Sequence, residues 1–179
     1  MPPTLSMHVS ETLGHFGARF HSRPVTADVM HHAKRAVVDW YAALIAGYGM
    51  NPTPLLEKAM AEDLDRGAAR LALGRKASVK AAALIHGTAS HAAEVDDSFK
   101  HAIYHPGAPT ISAALAVAQQ QQASGEEFLR AVIVGYEVST RIGQVLGRAH
   151  YQHWHNTGTV GTFGAAAAAA YLLRLDATQ

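Results

Sequence analysis

The stretch Gly158-Thr-Val-Gly-Thr-Phe-Gly-Ala-Ala-Ala-Ala-Ala-Ala-Tyr171 decides the fold of this 179-residue chain. Its run of consecutive alanines strongly favours a helix, because alanine has the highest intrinsic helix propensity. Gly161, Gly164 and the alanines are also so small that the backbones of neighbouring helices can approach closely. We therefore expect a central, tightly packed helix here, within an all-α helical bundle.

Helix signals continue through the rest of the chain. Thr26, Ser78 and Ser124 each suit the position just before a helix, and Ser124 forms a capping box with Glu127. Apolar residues recur at helical spacing behind the first and last of these caps: Met30, Ala33, Val37, Trp40, Tyr41 and Leu44, then Leu129, Val132, Ile133, Tyr136, Ile142 and Val145. Both runs predict amphipathic helices.

The segment between the first two caps is harder to assign. Pro52 opens a shorter predicted helix whose apolar face holds Leu56, Met60 and Leu64. Residues 67–76 are compatible with an extended segment or a loop. We find no convincing strand alternation and no internal repeat anywhere in the chain.

Composition excludes several classes of function. Hydrophobic residues make up 49% of the chain and charged residues 16%, as expected for a globular protein. The net charge of +1 and the lack of a basic block argue against nucleic-acid binding. The apolar run Ala165–Leu173 is too short to span a bilayer, and no signal peptide is visible at the start of the sequence.

Cysteine is absent from the chain. The chain therefore holds no disulfide, no thiolate zinc site and no iron–sulfur cluster. A reducing compartment is compatible with this composition, and we expect a cytoplasmic protein without membrane or nucleic-acid partners.

A dense polar cluster lies between His86 and Gly107 in this alanine-rich background. Glu94, Asp96 and Asp97 place three carboxylates within four positions. Because crowded carboxylates repel one another, we expect at least one to have a raised pKa and to act as a general acid or base near neutral pH. Glu94 and Asp97 are our catalytic candidates, and the alternative is a solvated helix end with ordinary acids.

Ser98 and His105 follow the carboxylates. Ser98 can hydrogen-bond a substrate carboxylate, or it can simply cap a turn. His105 precedes Pro106, and a residue before proline favours extended backbone. A histidine on such a turn can point into a cleft as a proton carrier, or it can lie on the surface.

A metal site is a further alternative, because His101 and His105 are four residues apart with acids nearby. A histidine–carboxylate site would suit zinc, iron or manganese. Pro106 and Gly107 disfavour a helix through this pair, so the spacing loses its usual meaning. We therefore predict no metal ligands in this chain.

A second candidate segment lies at the start of the small-residue helix. His155 precedes Asn156-Thr157-Gly158-Thr159, where free amide groups and the helix dipole would favour a bound carboxylate. We expect Thr157, Gly158 and Thr159 to bind substrate, with His155 at the mouth of this cradle. The alternative is an ordinary helix cap beside a histidine-rich loop.

Together these segments resemble the MmgE/PrpD family, which includes 2-methylcitrate dehydratase and cis-aconitate decarboxylase. The resemblance covers almost the whole chain and consists of four motifs in order. They are Gly87-Thr-Ala-Ser-His91, Glu94-Val-Asp-Asp-Ser98 with His105-Pro106, Gly135-Tyr-Glu-Val138 with Arg141-Ile-Gly143, and His155-Asn-Thr-Gly-Thr-Val-Gly-Thr-Phe-Gly-Ala-Ala166.

The resemblance implies chemistry on small di- and tricarboxylic acids, by dehydration, decarboxylation or epimerisation, without a metal or organic cofactor. It implies that Glu94 stands in the place of a catalytic aspartate and Ser98 in that of a substrate-binding threonine. It likewise implies that His105 and His155 are active-site histidines. Glutamate, serine and Asn156 depart from the family's usual aspartate, threonine and proline.

The resemblance also implies that residues 1–179 form a single, partial helical domain, without the family's second α+β domain and its active-site lysine. Leu175–Gln179 are predicted to form a loop and a cap that opens another helix. We therefore expect one subunit or fragment of a lyase or epimerase, completed by another chain in a homo- or hetero-oligomer. The alternatives are a non-catalytic helical binding module and a truncated, inactive family member.

Overall fold

The computed structural model describes residues 8–179, and the expectation of no signal peptide falls partly on residues 1–7, outside this range. Seven helices lie within the described residues and confirm the all-α class. They are α1 (Val9–Arg19), α2 (Ala27–Gly47), α3 (Thr53–Ala59), α4 (Val79–Ala92), α5 (Gly107–Gln121), α6 (Gly125–Tyr151) and α7 (Asn156–Leu172). Within residues 8–179, every helix falls short of the length or the apolar character that crossing a bilayer requires.

The small-residue helix α7 is central to the bundle, as expected. It packs against α6, α5 and α1. A Cβ added at Gly161 would collide with the ring of Pro109 in α5, and one added at Gly164 would lie 2.9 Å from Ser139 Oγ in α6. These positions therefore require glycine, because any side chain would push the neighbouring helices away.

The main core lies between α2, α4, α5, α6 and α7. Its larger buried side chains come from α2, α5, α6, α7 and the turn after α1: Phe20, Trp40, Leu44, Ile111, Val132, Val134 and Tyr171. The indole N–H of Trp40 donates a hydrogen bond to Ser112 Oγ at 3.1 Å, so this large ring is buried without an unpaired donor. This core holds α4 and α5 side by side.

The predicted helix caps are confirmed. The side-chain oxygens of Thr26, Ser78 and Ser124 each accept a hydrogen bond from the backbone N–H three residues on. The carboxylate of Glu127 accepts in return from the N–H of Ser124 at 3.1 Å, which completes the capping box.

The helix predicted through Leu56, Met60 and Leu64 is shorter than expected. It ends at Ala59, and Leu64 begins a strand instead of completing a helical face. A tight 3-10 turn at Ala61–Asp63 follows α3, and all three apolar side chains still pack in one cluster. Helical spacing therefore predicted the shared burial of the three residues correctly, but the helix it predicted ends before Met60 and Leu64.

Residues 67–76, which the sequence left open between an extended segment and a loop, contain the second half of one strand, a turn and the start of another, although no strand alternation was found there. Strand β1 (Leu64–Arg70) pairs antiparallel with β2 (Lys76–Ala77). Leu64 and Ala69 both pair with Ala77, so the intervening residues of β1 form an irregular bulge, and those residues are exposed. The bulge removes the alternation of buried and exposed residues by which a strand is recognised in sequence.

The last turns of α6 depart from the predicted buried face. Val145 is 87% exposed, and its predicted burial is wrong. Gly147 has a φ of 54° and interrupts the helical geometry. Beyond this kink, His150 Nε2 lies 3.0 Å from Thr159 Oγ1, so the end of α6 stays attached to the start of α7.

Candidate active site

An open cleft of about 720 Å³ lies where the ends of three helices meet. The second half of α4, the first turns of α5 and the first turns of α7 line it, together with residues 51–52 before α3. Much of the lining is apolar, and polar side chains are contributed by Asn51, Thr88, His91, Glu94, His155, Thr157 and Thr162. An apolar cleft with a few convergent polar groups is typical of small-molecule sites.

Glu94 lies at the edge of this cleft because of an unusual backbone turn. Helix α4 ends at Ala92, and Glu94 then has a φ of 50°, in the left-handed region that glycine normally occupies after a helix. Its N–H donates to the carbonyl of His91 at 3.1 Å. The turn leaves the Glu94 side chain exposed and reverses the chain toward the last turn of α4.

This reversal places Asp96 against His91. The Asp96 side chain is only 1% exposed, and its two carboxylate oxygens lie 3.1 and 3.0 Å from His91 Nδ1. The hydrogen bond to Asp96 raises the pKa of His91, burial opposes this effect, and the charges of Asp96 and Glu94 add to the increase. His91 is therefore held in place and biased toward its protonated form.

His105 packs beside His91, with ring centroids 4.9 Å apart. Its Nδ1 donates to the backbone carbonyl of Asp97 at 2.8 Å and lies 3.6 Å from Asp96 Oδ1. Its backbone N–H donates to Thr157 Oγ1 at 3.2 Å. The turn before α5 is thereby attached to the start of α7, and His105 lies behind His91 instead of lining the cleft.

His155 is the N-cap residue of α7, and its exposed ring stacks on that of His91 at a centroid distance of 5.7 Å. Thr157 and Gly158 also line the cleft, as the predicted carboxylate cradle would require. The N–H groups of Gly158 and Thr159, however, bond back to the carbonyl of His155. Part of the expected amide cradle is therefore already engaged within the helix.

Asp97 is half-buried and lies outside the cleft lining. Its carboxylate accepts hydrogen bonds from the N–H of Gly107 at 2.9 Å and from the hydroxyl of Tyr136 at 2.8 Å. Burial raises the pKa of Asp97, these two hydrogen bonds oppose the increase, and the charge of Asp96 adds to it. One carboxylate of the cluster therefore has the raised pKa that was expected, at a position that joins α5 to α6.

Ser98 and Thr159 both lie outside the cleft lining. Ser98 is exposed on the loop after the carboxylates. The Thr159 hydroxyl donates to the carbonyl of His155 at 3.3 Å and contacts His150. Their roles in substrate binding, like the catalytic roles of Glu94 and Asp97, stay predictions.

His91 and Asp96 are the site residues that sequence reasoning left out. They are five residues apart, a spacing that does not place two side chains on one face of a helix. Their contact depends on the left-handed turn at Glu94, which a sequence pattern does not reveal when the residue is not glycine. The signal available was the presence of both residues in the same polar cluster.

One group of described residues has the geometry to hold a metal ion. His91, Asp96 and His105 each offer a ligand atom, and these atoms lie within 4.8 Å of one another. In this arrangement both Nδ1 atoms already face oxygen acceptors at hydrogen-bonding distance. His101, which the sequence spacing pairs with His105, is not part of this group. It is exposed, and its ring packs on Phe99.

Comparison with known proteins identifies the family. The family profile of the MmgE/PrpD N-terminal domain matches residues 11–179. The chain belongs to the MmgE/PrpD family. It is 29% identical over 162 residues to the cis-aconitate decarboxylase-like protein oryM of Aspergillus oryzae (strain ATCC 42149 / RIB 40). It is also 35% identical over 103 residues to the cis-aconitate decarboxylase of Homo sapiens.

These MmgE/PrpD relatives are longer than the chain described here. The Aspergillus alignment covers 85% of this chain and 34% of its relative, and the human alignment covers 55% of this chain and 21% of its relative. The chain thus spans about a third or less of the curated relatives that it matches.

Proposed function

We propose that the cleft binds a small di- or tricarboxylic acid and is part of a lyase site of the MmgE/PrpD type. The observation that carries this proposal is a histidine cluster at the edge of an apolar cleft, in which His91 and His105 lie beside the buried Asp96 carboxylate and His155 stacks on His91. The names of the two relatives, both of the cis-aconitate decarboxylase type, support the substrate class.

The cleft suits the chemistry that such reactions require. Loss of water or carbon dioxide next to carboxylates needs groups that hold those carboxylates and a group that carries a proton. The protonated form of His91, the Thr157 hydroxyl and the positive end of the α7 dipole would hold carboxylates. Glu94, exposed at the edge of the cleft, would accept a proton from carbon.

We further propose that protein outside residues 1–179 forms the facing wall of this site. The cleft is open, and both His155 and Glu94 are exposed at its mouth. The relatives' greater length supports this proposal, because about two thirds of the Aspergillus protein lies beyond the aligned part. The additional wall would belong to the same polypeptide or to a partner chain in an oligomer.

Turnover of cis-aconitate and 2-methylcitrate tests the proposal. The chain is assayed alone, as part of any longer polypeptide that contains it, and with any co-encoded chain. We expect turnover in at least one combination and its loss in His155→Ala. The matched control is His153→Ala, because His153 is also exposed but does not line the cleft. Absence of turnover in every combination would overturn the enzymatic reading.

A non-catalytic binding module is the second candidate function. Asn156, which departs from the family pattern, is fully buried, and its Nδ2 donates to the carbonyl of Ala102. This substitution therefore serves packing at the start of α7, next to the proposed carboxylate site. Calorimetric titration separates the two functions, since binding of tricarboxylates without turnover in any combination supports the module.

A further inference from the structure

His91 and Asp96 form a pair, and the function proposed above does not say which proton-transfer step this pair performs. His91 lies in the last turn of α4, and Asp96 lies five residues on, after the left-handed turn at Glu94. Both oxygens of the carboxylate lie within 3.1 Å of His91 Nδ1, so the contact is that of a charge-assisted hydrogen bond. The pair is also not a surface ion pair, because the Asp96 side chain is almost completely buried.

Burial of Asp96 determines where the proton lies. A carboxylate that is almost completely removed from water is costly unless a charged or hydrogen-bonding partner compensates it. Within residues 8–179, the ion pairs of Asp96 are with His91 and, at a longer 3.6 Å, with His105. His105 Nδ1 is closer to the carbonyl of Asp97, so His91 Nδ1–H is the main donor to Asp96.

The pairing of Nδ1 leaves the other ring nitrogen for the cleft. His91 lines the cleft, and Nε2 is on the side of the ring away from Asp96. In the neutral ring, Nε2 then carries a lone pair and can accept a proton. In the protonated ring, Nε2–H can donate a hydrogen bond or a proton to a bound acid while Nδ1–H stays bonded to Asp96.

We propose that His91 is the proton carrier of this cleft and that Asp96 is its positioning residue. This assignment rests on the proposed function for its substrate class. In a dehydration, Glu94 takes a proton from carbon, the C–O bond breaks, and the leaving oxygen takes the proton of His91 Nε2 and departs as water. In a decarboxylation, the C–C bond breaks, carbon dioxide leaves, and the carbon that keeps the electron pair takes that proton. After the dehydration Glu94 releases its proton to solvent water, and after either reaction solvent water returns a proton to Nε2.

The groups around His91 agree with this assignment. Asp96 and Glu94 are the acids that face it, and His105 and His155 are the histidines packed against it. The two acids raise the pKa of His91, which keeps a larger protonated fraction near neutral pH than an isolated histidine would have. His105 differs because its Nδ1 donates to a neutral carbonyl and its side chain does not line the cleft.

Nitrogen-15 NMR of the histidine side chains tests the pair in the wild-type chain, without any ligand. Most neutral histidines carry their proton on Nε2, whereas His91 is expected to carry it on Nδ1 and to show an unprotonated Nε2. Asp96→Asn is expected to lower the midpoint of the His91 titration by about one pH unit or more, because the paired charge is lost. A neutral His91 with its proton on Nε2, or a midpoint unchanged in Asp96→Asn, would overturn the proposal.

The same spectra test the metal arrangement. Zn²⁺ added to the wild-type chain would have to replace the Nδ1 protons of His91 and His105 in order to bind there. We expect the His91 Nδ1–H signal to persist at an equimolar amount of Zn²⁺. Loss of that signal, with stoichiometric zinc binding that Asp96→Asn abolishes, would assign the cluster to a metal and contradict the proton-carrier role.

Where the protein turns over cis-aconitate, steady-state kinetics of His91 variants give a third test. His91→Gln is expected to lower kcat by about a hundredfold or more with a much smaller change in KM. The control His101→Gln, which replaces an exposed histidine outside the cleft, is expected to leave both unchanged. Full kcat in His91→Gln would refute the carrier role while leaving the proposed function intact. Absence of any turnover or binding would instead refute the proposed function, and the NMR result would still decide the His91–Asp96 pair.

Discussion

At the scale of single residues, Glu94 combines a backbone strain with a position at the cleft. Its φ of 50° costs a residue other than glycine roughly 1 kcal/mol, and its carboxylate lies in the lining. A strained residue at a candidate site suggests that its side chain is retained for function. Glycine at this position would remove the strain and the carboxylate together.

Glu94→Gly is therefore expected to increase the free energy of unfolding by about 1 kcal/mol, as measured by urea denaturation. Glu94→Gln is the matched control, because it removes the charge and keeps the strained backbone. It is expected to leave stability within about 0.5 kcal/mol of the wild type. Equal stability of the two variants would show that the left-handed turn stores no strain.

His86 is a second residue with a measurable signature. It is fully buried next to the Trp40 ring, and neither of its ring nitrogens has a hydrogen-bond partner among residues 8–179. Burial lowers the pKa of His86 to about 4, from 6.5 in the unfolded chain. Between these values the unfolded state binds more protons, so stability falls as the pH decreases from about 6.5 to about 4.

His86→Phe is expected to remove this acid sensitivity. The lowered pKa of His86 corresponds to roughly 3 kcal/mol of stability that is present at neutral pH and lost below the folded-state pKa. The variant should therefore gain stability relative to the wild type by about that amount as the pH falls from neutral to about 4. Denaturation series at both pH values measure the gain, and a constant difference between the two proteins would contradict the assignment.

At the scale of secondary-structure elements, close packing of α7 against α5 and α6 sets the geometry of the cleft. A Cβ at Gly164 would clash with Thr110 and lie 2.9 Å from Ser139 Oγ. The first turns of α7 and α5 both line the cleft, so a displacement of α7 would also move His155 and Thr157.

Gly164→Ala is accordingly expected to lower the free energy of unfolding by about 1–3 kcal/mol, because the helices must separate to accept the methyl group. Gly125→Ala is the control, since a Cβ there meets no atom of the described residues within 4 Å. It should be neutral or slightly stabilising, as alanine favours a helix more than glycine does. Thermal or urea denaturation compares the two, and a neutral Gly164→Ala would show that α7 is not closely packed at this point.

The elements differ in how far the sequence predicts them. Caps at Ser78 and Ser124 were predictable because a cap is a local interaction between residues three apart. The β1–β2 hairpin was not, because its bulge removes the alternating pattern. The predicted burial of Val145 was wrong because helical periodicity shows which face of a helix is apolar but not whether another helix packs against its last turns.

At the scale of the whole molecule, the candidate site is a junction of distant segments. The histidines His105 and His155 could be proposed from sequence because their motifs resemble those of a family. The central position of His91 could not, because it depends on the turn at Glu94 and on α7 bringing His155 against the end of α4. Asp97 was predicted as catalytic, and the structure places it where it joins α5 to α6 through Gly107 and Tyr136.

The same junction also determines which charges a bound acid would meet in the cleft. When protonated, the His91 ring offers a positive charge to a bound acid, and the start of α7 adds the positive end of its dipole, while the buried Asp96 carboxylate compensates the His91 charge from behind. Affinity for a polycarboxylate should therefore depend on the protonation of His91. Loss of that proton removes a positive charge and a donor at once.

Calorimetric titration of cis-aconitate into the chain at two pH values tests whether binding depends on the protonation of His91. We expect binding at about pH 6 that weakens at least about tenfold by about pH 8.5, since Asp96 raises the pKa of His91 above its ordinary value and the ring loses its proton as the pH rises. We also expect His91→Gln to bind cis-aconitate weakly at both pH values. Absence of binding at either pH, or an affinity that neither pH nor His91→Gln changes, would contradict the account.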